Sequence, residues 1–230
     1  MIDKLLHSPL FLITLTVAAY FVSYKIYKKV KLAIFTPVLV SVVFIIPVLS
    51  SLDISFEEYY AANDIINFVL KLSVVTLGYL LYKNVKHIKG YEFSILISVF
   101  FGCVIGILSI IFMARAMGLD QNIIASLQPK SVTMPIALAL SENSGGILPI
   151  TTIAVIIVGI AGSLIGPWVL KILRIKDPIA RGLSMGSGAH AVGTARAMEM
   201  GALEGAISGA AIGIMGVMTA VLLPIIEKIV

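Results

Sequence analysis

The 230-residue chain has one cysteine, one tryptophan and few charges: only 13% of its residues are Asp, Glu, Lys or Arg, while 59% are hydrophobic. A lone cysteine excludes an intramolecular disulfide, and Cys103, set mid-run among apolar neighbours, reads as a packing residue. Roughly a quarter of a soluble domain is charged. The shortage here, with a mean hydropathy of +1.06, excludes an ordinary soluble domain and leaves an integral membrane protein. The apolar runs suit helices of about 20 residues rather than barrel strands of about 10. No Walker or Rossmann glycine pattern precedes a helix, and no Cys, His and carboxylate cluster has zinc-like spacing, so no cofactor or metal is expected. No nucleophile, base and orienting group can be assigned together, so the chain does not read as an enzyme. The net charge of +5 invites a nucleic-acid partner. The lysines and arginines lie in short loops between spans, however, and there they set membrane orientation instead.

What is present is a series of long apolar runs. Spans are expected at residues 5–22, 32–49, 65–82 and 93–113. Residues 5–22 lack a small-x-small cleavage site and precede lysines, which suits a span rather than a cleaved leader. Lys25, Lys28, Lys29 and Lys31, then Lys83, Lys86 and Lys89, mark cytoplasmic loops, while residues 53–64, with Glu57 and Glu58, suit the outer side. Further spans are expected at 150–173 and 203–226. His7 and His87 lie near span ends and read as interfacial.

Two segments break this pattern. Residues 122–140 are interrupted by Gln128, Pro129, Lys130, Ser131, Thr133 and Pro135 and end in a polar turn at 141–146. Residues 181–200, RGLSMGSGAHAVGTARAMEM, hold four glycines with Ser184, Ser187, His190, Thr194, Arg196 and Glu199. Polar, broken backbone at membrane depth persists only where protein or water covers it. The basic cluster Lys171, Arg174, Lys176 and Arg181 should be cytoplasmic, so the simplest topology makes both segments re-entrant hairpins from opposite faces. A self-offset of sixty residues aligns Gly102 with Gly162, Gly106 with Gly166 and Lys130 with His190. Each unit is then one span plus one broken hairpin, an inverted repeat of the secondary-transporter kind. The expected fold is an all-α polytopic bundle of about six full spans and two broken hairpins, at 122–146 and 181–205. Residues 1–90 would form an N-terminal scaffold and dimerisation region, and 91–230 the core.

The hairpins carry the chemistry. Thr133 before Met134-Pro135 can cap a half-helix, with Ser131 the alternative cap, so Lys130 would adjoin a positive helix end. Free N–H groups and an ammonium together suit an anion. Gly186-Ser187-Gly188 reads as the second unwound tip or a helix start, again exposing N–H groups. Beyond it, in a continuous helix, Ser187, His190 and Thr194 share one face. Arg196 and Glu199 are i, i+3 neighbours that either pair as a brace or leave Arg196 for substrate. His190 can carry a coupled proton or simply satisfy backbone carbonyls. Glu142 and Asn143 read as an outer cap or a gate. Gly201, Gly205, Gly209 and Gly213, at four-residue spacing, favour close helix packing.

The stretches KSVTMPIALALSENSGGI and IGPWVLKILRIKDPIARGLSMGSGAHAVGTARAMEMGALEGAISGAAIGI resemble the LrgB/CidB membrane-protein family, most closely across residues 129–224. The motifs are long and specific, at 130–137, 174–182 and 190–197. The resemblance implies two expectations. One is an antiholin- or holin-like protein that modulates murein hydrolase activity and lysis beside a small LrgA/CidA-like partner. The other is a carrier of small monocarboxylates such as pyruvate, glycolate or glycerate, in a bacterial inner membrane. For the carrier, Lys130, Ser131, Thr133, Ser187, His190, Thr194 and Arg196 are the expected ligands, with Glu142, Asn143, Glu199, Pro135 and Gly188 structural or gating.

Overall fold

A computed structural model describes residues 5–30, 35, 37–66, 68, 69, 72, 75, 79, 82, 83, 86 and 89–229. The chain divides into two compact units, 1–72 and 73–230. The described residues are helical, with no strand among them. Most of the span expected at 65–82, and His87, lie outside the described residues.

In the first unit, α1 (Pro9–Val30) packs on α2 (Pro37–Ser51) and α3 (Phe56–Ala62). Helix α1 runs further than its apolar stretch, because Lys25 and Lys28 lie over the Phe21 and Tyr24 rings, at 4.6 and 5.0 Å. Such stacking keeps long cationic side chains compatible with a helix end near an interface. The acidic stretch expected on the outer side forms α3. Ser55 caps its start, and Glu57 and Glu58 occupy its first turn, where the helix dipole favours negative charge. It bends from the preceding helix by 117°. Buried polar contacts join the three helices: Thr16 to Tyr59 (2.7 Å) and Asn63 (3.1 Å), and Ser41 to Ser23 (3.2 Å). His7 pairs with Glu58 at 2.7 Å.

The second unit follows one order twice. Helix α4 (Glu92–Ala116) precedes two short helices, α5 (Gln121–Leu127) and α6 (Met134–Asn143); α7 (Leu148–Ile172) precedes the broken α8 (Pro178–Met200). Helix α9 (Ala202–Ile229) closes the unit. Helices α4, α7 and α9 match the expected spans within a few residues, because each is an apolar run longer than 20 residues. Four described helices are long and apolar enough to cross a membrane, or five if the bent pair in the first unit counts as one span.

Helix α9 is the core element. More than half of its most apolar window is buried (56%), against 28% for α4 and α7, which are far less enclosed by the described residues. Helix α4 turns one narrow stripe inward: Ile95, Val99, Cys103, Ile107 and Ile111, each four residues apart. That stripe joins Ala210, Met215, Leu223 and Ile226 of α9, with Val132 and Ala137 beside them, in one apolar cluster.

Candidate functional site

The first hairpin is α5, a turn at 128–133, and α6. Its break is local in origin: Pro129 removes a backbone donor, and Pro135 fits only the first turn of a new helix. Thr133 takes the N-cap position of α6, with extended backbone, but its hydroxyl makes no cap bond. Lys130 is half-buried, and its Nζ donates to Ser131 Oγ at 3.2 Å. Two buried side-chain atoms of this turn, Gln128 Oε1 and Thr133 Oγ1, have no hydrogen-bond partner among the described residues. The end of the hairpin away from its turn is tied down by Ser144 Oγ, which donates to Glu227 Oε2 at 3.0 Å. Ser126 Oγ accepts from the Ile147 N–H at 2.6 Å, and Ser141 bonds Thr151 at 2.6 Å. Glu142 and Asn143 are exposed in the last turn of α6.

The second hairpin is α8, which folds back on itself at Ala189 (φ −133°, ψ 18°) and His190 (φ 41°, ψ −134°). The contacts of its two arms show the reversal. In the first arm, Gly182 meets Glu204 and Gly186 meets Ser208, so this arm runs parallel to α9. In the second, Thr194 bonds Ser208 at 2.7 Å and Met198 meets Gly205, so that arm runs antiparallel. At the mouth of the hairpin, Arg181 pairs with the buried carboxylate of Glu204 at 3.2 Å.

This corrects two expectations. The tip lies at Ala189–His190 rather than at Gly186-Ser187-Gly188. Gly186 serves close packing instead, because a Cβ there would come within 2.3 Å of the Ser208 carbonyl oxygen. The break also takes Ser187 off the face shared by His190 and Thr194: Ser187 Oγ donates to Leu183 O of its own arm, at 2.7 Å. Gly188 is exposed and faces open space.

His190 is only 4% exposed. Its Nε2 lies 3.0 Å from the Val155 carbonyl oxygen, and since a carbonyl only accepts, that nitrogen carries the hydrogen. The ring fits because residue 159 is glycine; a Cβ there would lie 2.6 Å from His190 Cε1. A non-glycine residue at this positive φ is strained, so packing against α7 must hold it there. Arg196 and Glu199 pair at 2.5 Å with both side chains about half exposed.

The hairpins approach α9 from opposite ends. The second contacts Glu204 to Ala211, and the first runs from Ile136, against Gly216, to Ser144 at Glu227. Lys130, Ser131, Thr133 and Gln128 share one turn; His190 and Thr194 sit on the other hairpin against Val155 and Ser208. A groove of about 480 Å³ between α7 and the first arm of α8 contains neither Lys130 nor His190; it is lined chiefly by apolar residues such as Val158, Ile165 and Met185.

Sequence reasoning passed over Glu204 and Glu227 as partners. The available signal was cost: a carboxylate inside an apolar run needs a partner, and Arg181 and Ser144 were the polar groups flanking the broken segments.

The sequence model of the LrgB-like family matches residues 16–229. The chain belongs to the LrgB family. It is 36% identical over 207 residues to the uncharacterized protein YxaC of Bacillus subtilis (strain 168), covering 90% of each chain. It is 35% identical over 218 residues to antiholin-like protein LrgB of Bacillus cereus (strain B4264), and equally to that of Bacillus anthracis (strain CDC 684 / NRRL 3495), covering 94% of this chain and 95% of each relative. No solved structure matches it. This LrgB-family chain is therefore a helical membrane protein.

Proposed function

We propose that this LrgB-family protein is an alternating-access carrier of small monocarboxylates of the pyruvate, glycolate or glycerate type. The single observation that carries the reading is the Lys130 turn. Its half-buried ammonium has only Ser131 as a partner among the described residues, and the nearby Thr133 hydroxyl is buried with none. An ammonium sheltered from water without an acid beside it is costly, and a carboxylate guest would compensate it. The same turn opens α6, whose first N–H groups suit an anion.

In this proposal the two hairpins enter from opposite leaflets as halves of an inverted repeat, in a bundle of about six full spans in the bacterial inner membrane. Lys130, Ser131 and Thr133 bind the carboxylate. His190 and Thr194, engaged with Val155 and Ser208 in this structure, would turn toward the substrate in another state of the cycle, and His190 would then carry a coupled proton. Ser187 and Arg196 are secondary ligands at most, since each is engaged within its own helix. Glu142, Asn143 and Glu199 stay at the periphery. The first three spans would support a homodimer, and a small LrgA/CidA-like protein would be the natural partner.

The test is uptake of labelled pyruvate or glycolate by the purified protein in liposomes. Saturable uptake that is lost in Lys130→Ala is expected. An equal rate in Lys130→Ala overturns the site. The name of the Bacillus cereus relative, antiholin-like protein, favours a second reading, a regulator of murein hydrolase activity and lysis. That reading predicts unselective leaks when solutes of graded size are loaded.

A further inference from the structure

A small, partly enclosed cavity of about 10 Å³ lies where the first hairpin meets α4 and α9. A single water molecule needs roughly 10–15 Å³ of such space. The polar part of its wall is Gln128, Ser131, Thr219 and Cys103. Gln128 is 3% exposed, and its Oε1 is one of the two orphaned atoms of the hairpin turn.

The hydrogen-bond inventory of this wall defines the guest. Thr219 Oγ1 spends its only hydrogen on Met215 O, at 2.7 Å. The Cys103 thiol, 3.4 Å away, therefore donates to Thr219, which leaves one hydroxyl lone pair open. Gln128 Oε1 is likewise an open acceptor. Ser131 Oγ already accepts from Lys130 Nζ, and no acceptor for its own hydrogen occurs among the described residues. The wall thus presents two open acceptors, the Ser131 hydroxyl as an open donor, and the amide N–H groups of Gln128 as further donors. A guest with two hydrogens and a lone pair, too small to carry carbon, completes it.

We propose that this cavity is a binding site for one structural water molecule. The water donates to Gln128 Oε1 and Thr219 Oγ1 and accepts from the Ser131 hydroxyl. It joins the Lys130 turn to α9 through the chain Lys130, Ser131, water, Thr219, and so orients Ser131. A bare cation fits poorly. Only three of the lining residues carry a side-chain oxygen, and one of these already accepts from an ammonium, whose like charge opposes a cation. The site does not depend on what the Lys130 turn carries.

The experiment is X-ray radiolysis of the full chain in lipid nanodiscs, in water labelled with oxygen-18. A trapped water generates hydroxyl radicals in place, and the cavity is flanked by two easily oxidised residues, Cys103 (0% exposed) and Met215 (5% exposed). Both should be oxidised several-fold faster than Met185, which is equally buried (2% exposed) but borders the apolar groove. The excess should vanish in the double variant Gln128→Leu/Thr219→Val and should not change when sodium is replaced by choline. Equal rates at Met215 and Met185 in the unaltered protein would mean a dry cavity and overturn the proposal, whether or not the variant folds. Persistence of the excess in a folded double variant, or its loss in sodium, would overturn it as well. Uptake plays no part in the readout, so failure of the carrier reading leaves this result intact.

Discussion

The two hairpins have the same outline and opposite interiors. The second is closed: His190 has its carbonyl, Thr194 has Ser208, Arg181 has Glu204, and the first arm lies against the backbone of α9. The first is open: its turn leaves Thr133 and Gln128 without protein partners and holds an ammonium with no acid beside it. Buried polar groups are normally satisfied, because leaving one unpaired costs about 1–3 kcal/mol. The second hairpin is thus held by satisfied contacts to α7 and α9, whereas the first keeps buried polar groups without protein partners at a cost in stability.

The comparison can be attacked most severely at the seam of the closed hairpin. Gly186→Leu places atoms where the Ser208 carbonyl already stands, so backbone must shift to admit it. It should cost several kcal/mol and abolish the monodisperse peak in detergent size-exclusion chromatography, while Gly188→Ala, which faces open space, leaves the peak unchanged. A normal peak for Gly186→Leu would mean the seam is loose. Next in size is the mouth of the same hairpin. Arg181→Ala strands the Glu204 carboxylate, and because Arg181 is partly solvated the loss should be about 1–3 kcal/mol, read as a lower melting temperature. Glu204→Gln in the same background should recover part of it.

The open hairpin should respond in the other direction. Thr133→Val removes an orphaned hydroxyl and no cap bond, so it should stabilise by about 1 kcal/mol while slowing uptake. A lower melting temperature would show that the hydroxyl is satisfied after all. The smallest effect is expected from Arg196→Ala. Its exposed pair with Glu199 should be worth no more than about 1 kcal/mol, and uptake should fall little. A loss of uptake as severe as in Lys130→Ala would return Arg196 to the binding site.

Helices α4, α7 and α9 could be read from the sequence because apolar length alone specifies them, and the first break could be read because Pro129 and Pro135 cause it locally. The second break could not. The glycines that looked like an unwound tip are close-packing positions, and the true break falls at Ala189–His190, where neither residue is a helix breaker. What bends the chain there is tertiary: space opposite Gly159 and the carbonyl of Val155. Glu204 and Glu227 were hidden for a related reason, since a single acid near the end of a long apolar run looks like an end marker until its partner is brought beside it. The expected one-face array of Ser187, His190 and Thr194 assumed an unbroken helix, and periodicity cannot survive a reversal of direction.

Gly159 has a consequence for the whole second hairpin. The imidazole occupies the volume that any side chain on that turn of α7 would claim. Evicting the ring would deprive its N–H of the Val155 oxygen and release the torsion that the ring's lodging enforces. The bend in α8 is therefore written in another helix, some thirty positions upstream in the chain, by an atom that is not there.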